Sequence, residues 1–222
     1  EDIKKNQHLL PGILKSNTLG YDGKGQFILN SLDDVKQDWC FTNDYILEKK
    51  VDLKKEISVV IARYSDGTMS SYEPIENVHK NQILFKSKIP AKISDKIFKE
   101  AINNAKKIAE SLSYTGVLTV EFFLTKNDRL LVNELAPRFH NSGHLTIEAF
   151  NISQFTAHVR AVCNLESKSI KKISNAEMYN ILGHEILDYK KKIFKKNEFF
   201  YDYQKKEPRE GRKMGHITIL KD

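Results

Sequence analysis

Apolar and polar positions along this chain follow two rhythms, and the switch between them is sharpest between residues 94 and 134. Behind Ser94, a good N-cap, Ile97, Phe98, Ala101, Ile102, Ala105, Ile108, Ala109 and Leu112 recur at helical spacing. This predicts an amphipathic helix running to about Leu112 that covers one face of a sheet. Residues 117–124 and 129–134 then read as a hairpin of apolar, β-branched and aromatic strands, with the turn formers Thr125, Lys126, Asn127 and Asp128 between them. Each strand carries one carboxylate, Glu121 and Glu134. A symmetric four-residue turn sets Glu121 opposite Val132 and Glu134 two residues further along the same face, roughly 7 to 8 Å away and near enough to share metal ions. Charge at the bottom of an apolar sheet is costly to bury unless paired or metal-bound. The plainer alternative is that both acids face water or pair with lysines.

The rest of the pattern fills in an α+β chain. Leu9 to Lys15 is apolar and strand-like. Ser31 and Asp34 can cap a short helix with Leu32, Val35 and Trp39 on its apolar face. Residues 45–51, interrupted by Glu48, and 56–64, opening with Glu56, are strand-like, and Ser65, Asp66 and Gly67 turn the chain into 68–72. Residues 73–90, containing His79, read as an irregular crossing segment. Helical spacing returns over 145–163 through Ile147, Phe150, Phe155, Val159, Val162 and Cys163. A short strand at 177–182 precedes a lysine-rich linker, and two strand-like ends close the chain around a basic turn.

Length and composition fit a soluble globular protein: 222 residues with 40% hydrophobic and 29% charged. No apolar run approaches a membrane span, and no signal-like start is visible, so a cytoplasmic location without membrane contact is expected. Cys40 and Cys163 lack metal-ligand spacing and read as reduced thiols. The net charge of +7 permits an anionic ligand, but much of the excess is ordinary surface lysine. Zinc-finger spacing and RNP-like aromatics are absent, so nucleic acid is not the expected partner.

Two loops carry candidate chemistry. Gly20, Tyr21, Asp22, Gly23, Lys24, Gly25 and Gln26 place three glycines in six residues around a lysine, a composition that suits a hairpin loop or a phosphate-covering flap. After Pro137, the residues Arg138, His140, Asn141, Ser142 and His144 crowd around Gly143, a set able to hold an oxyanion. The basic turn offers Lys205, Arg209, Arg212 and Lys213, either solvated or holding a phosphate.

Taken in order, GYDGKGQ, the Glu121 and Glu134 hairpin, NELAPRFHNSGH and GRKMGHIT resemble the 5-(carboxyamino)imidazole ribonucleotide synthase (PurK) family of ATP-grasp ligases, over essentially the whole chain. The resemblance implies an ATP-grasp fold. Residues 1–47 would form part of a small lid subdomain, 48–165 the catalytic core of antiparallel sheet and helices, and 166–222 a strand-rich C-terminal segment. It implies an enzyme of de novo purine biosynthesis that uses ATP and Mg2+ to activate bicarbonate as carboxyphosphate. The amine of aminoimidazole ribonucleotide then captures the carboxyl group or released CO2, giving the carboxyamino product, ADP and phosphate.

Carried over by position, the resemblance makes Lys15 and residues 20–26 a phosphate clamp and flap. Glu48, Lys49, Lys50 and Val51 resemble an adenine-reading hinge, Glu56 a ribose ligand and His79 a nucleotide contact. Glu121 and Glu134, with Asn133 beside the latter, look like magnesium and triphosphate ligands. Arg138, His140, Asn141 and Ser142 would line the bicarbonate and substrate pocket, and Lys205, Arg212 and Lys213 would bind substrate phosphate. The family normally begins with an α/β domain of about a hundred residues that is missing here, which implies either a fragment or a missing part supplied as a separate chain, with little turnover by these residues alone. A homodimer is implied as well. Two alternatives remain open: another ATP-grasp carboxylate or bicarbonate ligase, with the lid and glutamates kept but the 138–144 loop changed, and a non-catalytic nucleotide- or RNA-binding module.

Overall fold

A computed structural model describes residues 2–18, 25–35 and 44–221. The chain divides into two compact units, Glu1–Asp52 with Asn81–Ile83, and Leu53–Lys80 with Leu84–Asp222. In the first, a short helix α1 (Asp2–Lys5) precedes a three-stranded antiparallel sheet of β1 (Gly12–Ser16), β2 (Gln26–Leu29) and β3 (Tyr45–Lys49), with β1 in the middle. Ser31 and Asp34 form the expected capping box, but the turn it starts is a single 3-10 turn, Leu32–Asp34. Trp39 and Cys40 lie outside the described residues, as do Gly20, Tyr21, Asp22, Gly23 and Lys24 of the glycine loop.

The second unit is built on a long β4 (Leu53–Arg63), to which β5 (Met69–Ser71) and β6 (Ile75–Lys80) pair. The strand β7 (Ile83–Ile89) follows. Residues 73–90 are therefore mostly a strand hairpin and not an irregular crossing, turned at Asn81 and Gln82, both at positive φ. Polar residues that turn out to be buried, Asn77 and Ser87, interrupt the apolar alternation that would have marked these strands.

Helix α2 (Asp95–Ser111) is capped by Ser94 as its spacing predicts, and buries Ile97, Ala101, Ala105 and Ala109. The acid-bearing hairpin is β8 (Gly116–Thr125) and β9 (Leu130–Ala136). Its register departs from the symmetric-turn expectation. The turn spans one more residue, Phe122 faces Val132, and a shift between Glu121 and Phe122 then sets Glu121 directly opposite Glu134. The two acids are cross-strand partners, not diagonal neighbours, because Asn133 is an extra residue bulged out of β9.

Residues 145–163 are not one helix. A 3-10 turn (Asn141–Leu145) leads into α3 (Thr146–Ala149), the chain extends at Phe150, and Ser153 caps a separate α4 (Gln154–Val162). Phe150 and Ile152 are buried from non-helical positions, which gives an apolar spacing that mimics a continuous helix. Strand β10 (Asn175–Leu182), a short α5 (Glu185–Tyr189), β11 (Glu198–Asp202) and β12 (Lys213–Lys221) complete the unit. The nine-stranded sheet runs β11-β12-β10-β7-β6-β4-β8-β9, with β5 beside β4.

Strand alternation explains where the polar face lies. Ile57, Val59 and Ile61 of β4, with Leu118, Val120, Phe122 and Leu124 of β8, pack against α2 in one cluster. On the other face, Val60, Ala62 and Val117 pack under Leu145, Ala149, Ala157 and Ala161. Further along that second face, β4 offers Glu56 and Ser58 and β8 offers Glu121, so one sheet face is half core and half polar site.

Candidate functional site

The polar half-face is organised by Glu121 and the loop that follows β9. Ser58, Glu121 and Glu134 are aligned across three neighbouring strands. His140, N-cap of the 3-10 turn, brings its Nε2 to 2.7 Å from Glu121 Oε1. Burial works to raise the Glu121 pKa, but the hydrogen bond from His140, the charge of His79 and the Asn133 amide outweigh it and hold the carboxyl below its ordinary value. Glu134, on the edge strand, is exposed.

His140 also sits 2.8 Å through Nδ1 from Ser142 Oγ, and Ser142 Oγ lies 2.8 Å from Ser58 Oγ. Asn77 donates to Ser58 Oγ at 2.9 Å and accepts from Ser87 Oγ at 2.8 Å. Asn141 and Asn180 exchange side-chain amide hydrogen bonds, and Asn180 also donates to the Leu84 carbonyl at 2.7 Å. The fully buried Gln154 clasps the loop from below, bonding the His140 backbone through both N–H and C=O, and reaching His144 Nδ1 at 2.9 Å. Here Gly143 serves close approach: a Cβ there would stand 2.7 Å from Gln154 Cδ.

Glu56 holds His79 Nδ1 at 2.6 Å. Burial pulls the His79 pKa down, yet the Glu56 hydrogen bond and charge, helped by Glu121, raise it overall, against an opposing push from Lys213. Lys213 also acts on His144, so the basic turn feels the same field as the acid row. In that turn, Lys205 donates to the Lys213 carbonyl at 2.6 Å and Arg212 to the Glu207 carbonyl at 2.9 Å. Arg138 is exposed and donates to the Phe139 carbonyl at 2.9 Å.

In the first unit, Lys15 and Glu48 form an ion pair at 2.6 Å across β1 and β3, and Gln26 is the cross-strand partner of Lys15. Gly25 takes φ +73, a conformation that favours glycine. Lys49 and Lys50 are exposed, Val51 is half-buried, and the Lys50 N–H is tied to the Pro11 carbonyl at 2.9 Å.

The structure thus joins Glu121, Asn133, His140 and Ser142 directly, pairs Glu134 with Glu121 across the strands, and couples Glu56 with His79 to the same field. Sequence reasoning passed over Ser58, Asn77, Ser87, Gln154 and Asn180. The signal for two of them was a lone small polar residue among apolar neighbours, Ser58 in EISVV and Asn180 in EMYNIL.

Among the described residues, no three His, Cys, Asp or Glu side chains cluster tightly enough to hold a metal alone. The carboxylate pair nevertheless fits Mg2+, a hard cation that takes one or two carboxylates and fills its remaining positions with water and phosphate oxygens.

Residues 3–155 match the ATP-grasp domain and residues 176–222 the phosphoribosylaminoimidazole carboxylase C-terminal domain. N5-carboxyaminoimidazole ribonucleotide synthase of Brucella melitensis is 44% identical over 95% of this chain and 59% of its own length. The Bacillus subtilis synthase is 42% identical over 96% of this chain and 57% of its own. The crystal structure of Staphylococcus aureus N5-carboxyaminoimidazole synthetase complexed with ADP superposes with a TM-score of 0.92 at 37% identity, covering 100% of this chain and 60% of that one. The Aspergillus clavatus synthase with ADP and 5-aminoimidazole ribonucleotide gives 0.90 at 32%, covering 98% and 60%. The chain spans about three fifths of the length of these relatives. With the ATP-grasp pattern over residues 3–155 and the same fold throughout, this chain belongs to the ATP-grasp family.

Proposed function

We propose that the protein to which these residues belong is a ligase that carboxylates 5-aminoimidazole ribonucleotide with bicarbonate at the expense of ATP, in purine biosynthesis. The observation that carries this reading is the cross-strand pair Glu121 and Glu134 beside the His140 loop, in a chain similar to such synthases through both its ATP-grasp and its C-terminal part. In the second unit we assign Glu121 and Glu134, with Asn133, to Mg2+ and triphosphate. Glu56 and His79 are assigned to the nucleotide, Arg138, His140, Asn141 and Ser142 to bicarbonate and the substrate amine, and Lys205, Arg212 and Lys213 to substrate phosphate. In the first unit we assign Lys15 and residues 20–26 to nucleotide phosphate, with Glu48, Lys49, Lys50 and Val51 as the adenine-reading hinge.

Bound Mg2+ would supply neutralisation of charge on the phosphoryl group in transfer. The chain's own residues do the rest. Glu121, kept ionised by His140, presents its carboxylate in one orientation. The guanidinium of Arg138 suits a planar oxyanion such as bicarbonate, and Asn141, fixed by Asn180, supplies neutral donor and acceptor groups without adding charge. Exclusion of water protects carboxyphosphate from hydrolysis.

The test is ADP release by the full-length protein against a panel of acceptors. Release that requires both bicarbonate and 5-aminoimidazole ribonucleotide is the expected result. Release driven by another carboxylate would reassign the substrate and keep the ATP-grasp chemistry. Steeply salt-dependent RNA binding without ADP release would overturn the enzymatic reading.

A further inference from the structure

The buried chain behind His140 has a direction, and the direction has a consequence for the ring. Ser58, Ser87 and Ser142 are fully buried and Asn77 is 5% exposed, so water does not supply their hydrogen bonds. At one end, Glu121 as a carboxylate only accepts, so His140 Nε2 carries the hydrogen it shares with Oε1. At the other nitrogen, the Ser142 backbone N–H points at Nδ1 from 3.3 Å, so Nδ1 is an acceptor. The Ser142 hydroxyl, 2.8 Å from Nδ1, then donates to it. Ser142 Oγ in turn accepts from Ser58, Ser58 accepts from the Asn77 amide, and the Asn77 carbonyl oxygen accepts from Ser87. Ser142 and Ser58 each donate once and accept once and Ser87 donates, all in the same sense. Turning the Asn77 amide over reverses every link and makes Nδ1–H confront the Ser142 N–H, two donors meeting.

We infer that Ser58, Asn77 and Ser87, on three successive strands of the sheet, are positioning residues that act through Ser142 to lock His140 as the neutral Nε2–H tautomer aimed at Glu121. The side-chain hydrogen bonds of the three run to one another and to Ser142, not to the carboxylates. Their effect reaches the acid pair through ring orientation, which leaves the other lone pairs of the Glu121 carboxylate for the cation. The inference rests on the proposed function only in placing His140 beside substrate and a cation at Glu121.

The experiment is long-range 1H–15N correlation on the full chain labelled with 15N at histidine, at neutral pH without metal or nucleotide, with His140→Asn to assign the signal. The expected spectrum has a pyridine-like Nδ1 and a protonated Nε2 for His140. Ser58→Ala should move the Nδ1 resonance toward the average of two exchanging tautomers, and Asn77→Leu should do the same, while Ser58→Thr, which keeps the hydroxyl, should retain the native pattern. The Mg2+ concentration needed for half-maximal ATP binding should rise about 10- to 100-fold in Ser58→Ala. A wild-type ring carrying its hydrogen on Nδ1 overturns the inference even if no variant folds, as does an unchanged tautomer in folded Ser58→Ala. The spectra do not depend on turnover, so a chain with the expected tautomer and no carboxylation of aminoimidazole ribonucleotide refutes the reaction alone.

Discussion

Two polar clusters in the second unit are both largely removed from water, and they handle charge in opposite ways. The row from Glu121 through His140, Ser142, Ser58 and Asn77 to Ser87 is hydrogen-bonded link by link, and its carboxyl group stays charged below its usual range. The other cluster surrounds β12. His216 is flanked by Tyr201, stacked at 4.7 Å, by Tyr203, whose hydroxyl meets Nδ1 at 2.9 Å, and by His144 at 5.2 Å. Its Nε2 is buried without a partner, as is Glu148 Oε2. Here burial prevails. It pushes His216 down to about 3 and His144 to about 4, with their neighbours' charges adding, and it raises Glu148 despite the Tyr201 hydroxyl. Burial alone therefore does not decide whether a site is ionic; the supply of donors and opposite charges does.

Removing the charge that the first cluster protects should have the largest effect. Glu121→Ala should weaken Mg2+-dependent ATP binding by about a hundredfold or more, measured by titration calorimetry, whereas His216→Phe should change it by less than about threefold. Comparable losses in both would erase the distinction between the clusters.

Acid should expose the second cluster next. His144 and His216 are neutral in the fold and have depressed pKa values, so the unfolded chain binds more protons as pH falls below about 6.5. Their stabilising contribution is complete above that value and is lost as pH drops toward about 4 and 3, at up to about 1.4 kcal/mol per pH unit for each histidine. His216→Phe should flatten the slope of urea-unfolding free energy in this window, and an unchanged slope would show that His216 does not stay neutral.

A smaller loss is expected from cutting the satisfied row. Ser58→Ala strands buried groups on Ser142 and Asn77 and should cost about 2 kcal/mol in the same unfolding assay. A neutral result would mean the row is not closed to water. The smallest effect belongs to Glu148→Gln. The folded Glu148 keeps its proton above the ordinary 4.5, so native stability falls as pH rises through the raised value and is flat beyond it. The amide variant should lack that decline. The same decline in the variant would clear Glu148 of it.

Helical spacing and strand composition marked α2 and the β8–β9 hairpin correctly, because one continuous apolar face defines each of them. The Glu121 and Glu134 pair was legible for the same reason, as charge inside apolar strands. Register was not legible, since the extra residue in β9 leaves composition unchanged. The β6–β7 hairpin was hidden because Asn77 and Ser87 spend their burial on hydrogen bonds with one another and with Ser58 rather than on apolar contact. Helices α3 and α4 merged in the pattern because Phe150 and Ile152 keep apolar spacing through a break held by Thr146, whose hydroxyl bonds the Gly143 carbonyl and accepts from the Gln154 N–H.

The stutter at Asn133 also changes how much chemistry one edge strand can deliver. A regular strand shows one face a side chain only every two residues, roughly 7 Å apart. By spending one residue outside the ladder, β9 turns the amide of Asn133 toward the Glu121 carboxylate while its immediate neighbour, Glu134, is that acid's cross-strand partner. Functional density at this border is thus roughly doubled with no added strand and no longer loop, at the cost of a single missed rung.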